Sequence, residues 1–335
     1  DQYNENEKRI FDYLLPLYEI TKKFREDRLK KGYDFRTSEN RLKLKNSLLE
    51  NIEVEKSTAS HQLIEECMLL ANIEASKKVG ALGIFRIHEE PNFKAISKLI
   101  DDVNILGVKA KLKDNVHETI SHIQEESNKL FLRDEIDELV IQSLTQAKYS
   151  SKNLGHFGLG FDFYTHFTSP IRRYPDLLVH RAIKAVLRGE KYKPGAKWPQ
   201  LGEHCSMTER RADEATRDVQ NWLKCYYMRD KIGDVFDGSV SAVTSFGMFV
   251  LLDDAYVEGL VHITELGQDY FHYDAALHSL SGERSGVRYR LGDRVRVKVM
   301  RVDLESSKID FALENPVAAA PDAARGKPRG KQRRK

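Results

Sequence analysis

The sequence predicts an α+β protein, a mostly helical first region followed by a five-stranded β-barrel. Three observations carry this prediction. Apolar residues between about positions 5 and 150 recur at helical spacing, whereas from Gly233 to Glu314 the period falls to two. The 335 residues are 41% hydrophobic, enough for two or three domains with cores of their own and too much for disorder throughout.

Composition excludes further classes. The longest apolar run, near Cys67 to Ala71, is far short of the roughly 20 residues a membrane span needs. No signal peptide is visible, and Cys67, Cys205 and Cys225 form no CxxC pair, so a disulfide framework and a four-cysteine zinc site lack support. A reducing, cytoplasmic setting is the expectation. The chain opens at Asp1 without Met, which suggests a fragment or a processed product. Seven of its basic residues lie between Ala319 and Lys335 beside one acid, Asp322. Such a segment cannot bury enough apolar surface to order itself; it is either a solubilising end or an arm for polyanions.

In chain order, Glu7 to Arg28 reads as an amphipathic helix through Ile10, Leu14, Leu17 and Ile20, and His61 to Lys78 as another through Leu63, Ile64, Met68, Ala71 and Ala75. Tyr33 to Leu44 has strand or loop character, and Ile84 to His88 is a short strand ended by Glu89-Glu90-Pro91. Pro175 is uncomfortable inside a helix, so a new one starts near it, burying Leu178, Ala182, Ile183 and Val186. A helix over 207–231 carries Ala212, Ala215, Val219, Trp222 and Tyr226 as a core stripe, with Arg210, Glu214 and Arg217 on its other face. Five β-rich runs follow in about 80 residues, with Gln268 to Arg290 as a long loop between strands.

Two constellations can carry chemistry. In the barrel segment Phe246, Phe249, His262 and Tyr270 accompany Arg296, Lys298, Arg301 and Lys308. Aromatic faces interleaved with cations suit single-stranded nucleic acid; the alternative is that the phenylalanines are core. The second is His166-Phe167-Thr168-Ser169-Pro170-Ile171-Arg172-Arg173-Tyr174-Pro175-Asp176. Ser169 can cap and Pro170 can open a turn, which holds two guanidinium groups at a defined angle to grip a phosphate and offset developing charge. The alternative is a structural ion pair with Asp176. Glu65 and Glu66 read as a solvated face, His88 and His156 as hydrogen-bonded structural residues.

Gly238-x-Val240, Phe246-Gly247-Met248-Phe249-Val250, Glu258 to Ile263 and Gly292 to Val299 with Asp303 resemble the oligonucleotide-binding (OB-fold) barrel repeated in the largest protein of the bacterial small ribosomal subunit. The resemblance implies that Phe246, Phe249 and His262 contact RNA, helped by Asp303 and Lys308. The arginine turn, His61 to Asn72, Phe85-Arg86-Ile87-His88 and Gly155 to Leu159 resemble the second half of the nuclease (RNB) domain of the RNase II and RNase R exoribonucleases, the RNase R branch more closely through Thr208 to Ala215 and the basic tail.

That resemblance implies processive, Mg2+-dependent 3′-to-5′ hydrolysis of RNA to nucleoside 5′-monophosphates in RNA decay. Arg172 would contact the scissile phosphate. Arg173, Ser169, Tyr174 and Lys298 are further candidates for RNA binding, and Glu214 and Arg217 either line the RNA channel or pair with Arg210. The family's metal-binding aspartate cluster is not found; Asp101-Asp102 and Asp253-Asp254 are the nearest acidic pairs and supply too few oxygen ligands. The expectation is therefore an RNA channel over 1–232, an OB-fold barrel over 233–316 and a disordered tail over 317–335, inactive alone, with no metal ligands of its own. Its partners would be single-stranded RNA 3′ ends or structured RNA, with a helicase or ribosome association unidentified and no membrane. The rival expectation is a non-catalytic RNA-binding or scaffolding protein.

Overall fold

In a computed structural model of the protein, residues 4–35, 39–45, 48–55, 57–130, 133–190, 192–254, 256–275 and 277–316 are described. The basic tail expected to be disordered lies outside them. The chain divides into two compact units, Asp1–Leu42 with Glu53–Gln220, and Lys43–Ile52 with Asn221–Lys335.

In the first unit, Glu5–Arg28 forms α1 and Ala59–Val79 forms α2. Thr58 caps α2, its hydroxyl accepting from the His61 N–H at 3.5 Å while the His61 ring accepts from the Thr58 N–H at 3.2 Å. The apolar stripe of α1, from Ile10 to Ile20, is exposed, and so are Ile64 and Met68 of α2. The face that α2 buries runs instead through Leu63, Glu66, Leu69, Asn72 and Ser76. Glu66 thus corrects the expected solvated glutamate pair: Glu65 is half-exposed, but Glu66 is buried and takes bonds from Arg28 at 2.6 and 3.2 Å and from Arg25 at 3.1 Å. Two guanidinium groups make that burial tolerable.

The strands β1 (Glu39–Lys45) and β2 (Leu48–Glu55) pair as a two-stranded sheet where the sequence suggested one short strand or loop; charged residues at alternate positions had diluted the signal. Strand β3 (Phe85–Ile87) leads into a helical trio, α3 (Phe93–Ile105), α4 (Val116–Lys129) and α5 (Arg133–Ser143), and β4 (Lys148–Ser150) returns antiparallel to β3. Asn92 and Asn115 cap α3 and α4 through side-chain oxygens at 2.9 and 2.8 Å. Ile96, Leu99, Val103, Ile120, Ile123 and Ile136 fill the core between these helices. Nearby, Gly160 takes φ +71° where a side chain would meet the Gly32 backbone nitrogen at 2.6 Å, so the two chain segments approach as closely as they do only because a glycine stands there.

Helix α6 (Tyr174–Leu187) starts where Pro175 predicted, with Leu178, Val179 and Ala182 fully buried and Ile183 and Val186 half-buried. Ser169 does not cap it; Arg173 holds the capping position and makes no side-chain cap bond. Helix α7 (Trp198–Arg229) begins well before position 207, because Pro199 falls in its first turn, where a missing N–H costs nothing. Its expected core stripe is exposed except at Tyr226, which is half-buried: every residue from Arg210 to Trp222 is solvent-facing, and full burial is confined to Gly202, Cys205 and Ser206 near one end and Cys225 and Met228 near the other. Periodicity identifies an apolar face without saying what covers it.

In the second unit, β5 (Val235–Thr244), β6 (Gly247–Leu252), β7 (Glu258–His262), β11 (Arg294–Asp303) and β12 (Lys308–Leu313) close the expected five-stranded barrel in the order β11-β12-β7-β6-β5. All pairs are antiparallel except β12 with β7. Met248, Val250 and Leu252 point inward, so Phe249 between them points outward. Gly259 is obligatory, since a Cβ there would meet the Phe311 ring at 2.5 Å. The segment expected as a long loop is a three-stranded sheet, β8 (Phe271–Asp274), β9 (Ser279–Gly282) and β10 (Arg288–Arg290), in the order β10-β9-β8. Serines and glycines hid these strands, yet Phe271 and Leu280 are buried and Asp269 ties the intervening turn by accepting from Ser285 Oγ at 2.6 Å and its N–H at 2.8 Å.

Candidate functional site

Each unit carries a candidate site. In the first, the turn before α6 is built on backbone: the Ser169 carbonyl accepts from the N–H groups of Arg172 and Arg173 at 3.3 and 3.0 Å. The Ser169 N–H donates to Asp176 Oδ1 at 2.8 Å, and Arg173 Nη2 reaches the same oxygen at 2.9 Å. Asp176 is fully buried in the first turn of α6, where a carboxylate also meets the positive helix end. The structural ion pair is therefore what Arg173 makes. Arg172 is exposed and has no ion pair among the described residues; with Tyr174 it lines a cavity of about 460 Å3 whose other walls include Tyr149, Thr208 and Glu209.

Tyr149 and Glu209 of that lining belong to a polar network the sequence did not reveal. Arg86 binds Glu209 at 2.5 Å and lies over the Tyr149 ring at 4.7 Å. Tyr149 donates to Glu209 at 3.4 Å, which leaves the His166 Nδ1–H as donor to the phenol oxygen at 2.8 Å. Desolvation drives the His166 pKa down to about 2, reinforced by Arg173 and Arg86, and that of His156 down to about 3, reinforced by His88. Both rings are neutral at physiological pH. His88 is hydrogen-bonded as expected, through Nε2 to the Thr145 carbonyl at 2.6 Å and through Nδ1, which accepts from the Gly158 N–H at 2.9 Å. Glu214 and Arg217 are exposed on α7 and are not among the residues lining the cavity.

In the second unit, Phe246, Phe249 and Lys308 come together in a groove of about 370 Å3. The two rings stand edge to face with centroids 6.1 Å apart, and Phe246 is 47% exposed, so it is not a core residue. His262 and Lys298 are exposed on the barrel outside this lining; His262 Nδ1 is occupied by the Thr264 hydroxyl at 2.8 Å. Sequence reasoning missed Asn221, Lys224 and Glu258, which complete the groove. No local pattern marks them, because Asn221 and Lys224 come from the end of α7 and Glu258 from β7, more than thirty residues further along the chain.

Among the described residues no group of three or more His, Cys, Asp or Glu side chains is placed to hold a metal ion. Asp253 is ion-paired with Arg294, and Asp101 and Asp102 lie on α3. These carboxylates do not fit a Mg2+ site. No described helix is long and apolar enough to cross a membrane.

Comparison with known proteins places these features in context. The family model described as RNB domain matches residues 1–189, and that described as S1 RNA binding domain matches residues 229–314. The chain is 42% identical over 319 residues to ribonuclease R of Escherichia coli, covering 89% of this chain and 38% of that protein. It is 39% identical over 315 residues to ribonuclease R of Vibrio cholerae, with the same coverage. Among solved structures, Mycoplasma genitalium RNase R in complex with ribose-methylated single-stranded RNA superposes with a TM-score of 0.84 at 25% identity, covering 91% of this chain and 50% of that one. The chain thus spans well under half the length of these two curated relatives.

Proposed function

The chain belongs to the RNB-domain exoribonuclease family, and from that premise we propose that it is the RNA-gripping part of a processive 3′-to-5′ exoribonuclease that releases nucleoside 5′-monophosphates in cytoplasmic RNA decay and quality control. The observation that carries this reading is the division of labour in the arginine turn. Arg173 is held by buried Asp176, while Arg172 stands free of ion pairs among the described residues, at a cavity large enough for a nucleotide. A guanidinium presented from a turn locked in this way can meet a phosphate bidentately and stabilise charge that develops as the phosphodiester is cleaved. Tyr174 offers a ring beside it for a base or sugar.

The barrel supplies a second hold through Phe246 and Phe249, whose rings offer stacking faces for bases, with Lys308, Lys298 and His262 contributing to backbone contacts. Glu214 and Arg217 would meet RNA along the exposed stretch of α7. The metal chemistry of the family, a divalent cation such as Mg2+ that activates water, would be supplied by carboxylates outside the described residues. The lack of a fitting carboxylate cluster among those residues favours one second reading, a non-catalytic RNA-binding or scaffolding protein.

The test is equilibrium binding of a single-stranded RNA to the chain over a range of salt. Phe246→Ala with Phe249→Ala weakens binding, and Arg172→Ala lowers the salt dependence. Undiminished affinity in all three substitutions together would refute the proposed grip.

A further inference from the structure

The barrel groove contains a side chain that backbone binding does not explain. Glu258, at the start of β7, lines it beside Phe249 and Lys308, with no cation inside ion-pair distance among the described residues. An unneutralised carboxylate repels phosphate, so in a surface that holds a polyanion it is a liability unless it meets hydrogen-bond donors. Its placement is not casual: the Ser241 hydroxyl donates to Oε1 at 2.5 Å and fixes the rotamer, while Oε2 accepts no hydrogen bond among the described residues. The other carboxylate of the groove, Asp310, is different, for Arg301 holds it at 2.8 Å.

Lys224, on the last turns of α7, lines the same groove. Desolvation lowers the pKa of its ammonium and the Glu258 charge raises it, so the two side chains are close enough to interact without forming an ion pair. Asn221, one turn earlier, adds an amide. The groove thus offers a stacking wall in Phe249 and Phe246, an acceptor pair in Glu258 and a donor in Lys224.

We propose that this groove reads one base of the bound RNA and that the base is guanine, stacked on Phe249, with its N1–H and N2–H donated to Glu258 and its O6 accepting from Lys224. Guanine alone presents two adjacent donors beside an acceptor on its Watson–Crick edge. Adenine turns the N1 lone pair toward the carboxylate, cytosine places an acceptor beside its amino group, and uracil has one N–H between two carbonyls. Unpaired bases are the ones whose edges a protein can reach in this way. The inference rests on the barrel groove being an RNA-binding surface and adds selectivity to it.

The experiment measures equilibrium binding of the 335-residue chain, in EDTA, to a decamer of uridines and to the same decamer carrying one central guanosine, inosine or adenosine. Guanosine should tighten binding at least about fivefold, the lower end of what one bidentate base contact supplies. Inosine, which lacks the 2-amino group, should lose most of that gain, and adenosine should gain nothing. Glu258→Gln should bring the guanosine-to-uridine ratio close to one. Equal affinity for the guanosine and all-uridine RNAs, or a guanosine preference that survives Glu258→Gln, would overturn the inference. Phe249→Ala separates the two levels: if it weakens every RNA while no base is preferred, the RNA groove stands and its selectivity falls, and if it changes no affinity, the groove itself is refuted.

Discussion

Arg173 Nη2 lies 2.9 Å from Oδ1 of Asp176, and that carboxylate is wholly buried while also accepting from the Ser169 N–H at 2.8 Å. The pair locks the turn, and it is the neighbour, Arg172, that faces open space. Two adjacent arginines that look equivalent in sequence therefore have opposite roles, which leads to opposite predictions.

Arg173→Ala leaves a buried carboxylate without its cation and should destabilise the first unit by about 3 kcal/mol, since breaking a buried pair on one side costs about 3–5. Arg172→Ala should stay within about 0.5 kcal/mol of the parent, as exposed substitutions do. Chemical denaturation of both variants checks this. In an intact enzyme containing this segment, Arg172→Ala should lower turnover far more than RNA affinity, because its charge acts mainly in the transition state; equal losses in turnover and binding would contradict that role.

Stability should fall on acidification from near pH 6.5. His166 and His156 have folded-state pKa values held down to about 2 and about 3 by desolvation, whereas in the unfolded chain each titrates near the ordinary histidine value. Above pH 6.5 both states are neutral and the histidines are silent. Below it the unfolded chain takes up protons that the folded one refuses, so each ring removes about 1.4 kcal/mol per pH unit. Melting His166→Gln between pH 7 and 4 should give a shallower slope than the parent; an identical slope would show that the ring protonates in the native state.

Gly259→Ala forces a methyl group into the Phe311 ring across β7 and β12. The barrel should lose about 1–3 kcal/mol, the usual cost of overpacking a filled core. Phe311→Leu combined with Gly259→Ala should recover part of it, which a thermal melt of the single and double variants would reveal.

The basic run over 319–335 should contribute affinity through counterion release alone. Deleting it should flatten the plot of log affinity against log salt by about 0.7 for each phosphate that the run neutralises. A salt dependence that survives the deletion unchanged would mean that the arm does not touch RNA.

What the sequence made legible was periodic or local. The barrel strands and the helix starting at Pro175 follow from patterns within short stretches, whereas the grouping of Phe246 and Phe249 with Lys308, some sixty residues apart, was implied by the resemblance. Three kinds of feature escaped it. The strands β8, β9 and β10 have too few apolar residues to register, though Phe271 and Leu280 suffice to anchor them. Burial of Glu66 depends on Arg25 and Arg28, some forty residues away. The faces at Ile10–Ile20 and Ala212–Trp222 have the apolar character of buried stripes but remain exposed among the described residues, since amphipathicity names a face and not its partner. Likewise Tyr149, His166 and Glu209 meet in one network although nothing in their spacing suggests it.

The central proposal, an RNA-gripping chain with no carboxylate cluster fit for a metal ion among its described residues, is tested most directly by incubating the 335-residue chain with a 5′-labelled single-stranded RNA, with and without Mg2+, and following retention and shortening in one titration. The predicted result is salt-sensitive retention with full-length RNA recovered under both conditions. Mg2+-dependent laddering from the 3′ end would contradict it, placing the catalytic carboxylates within these 335 residues.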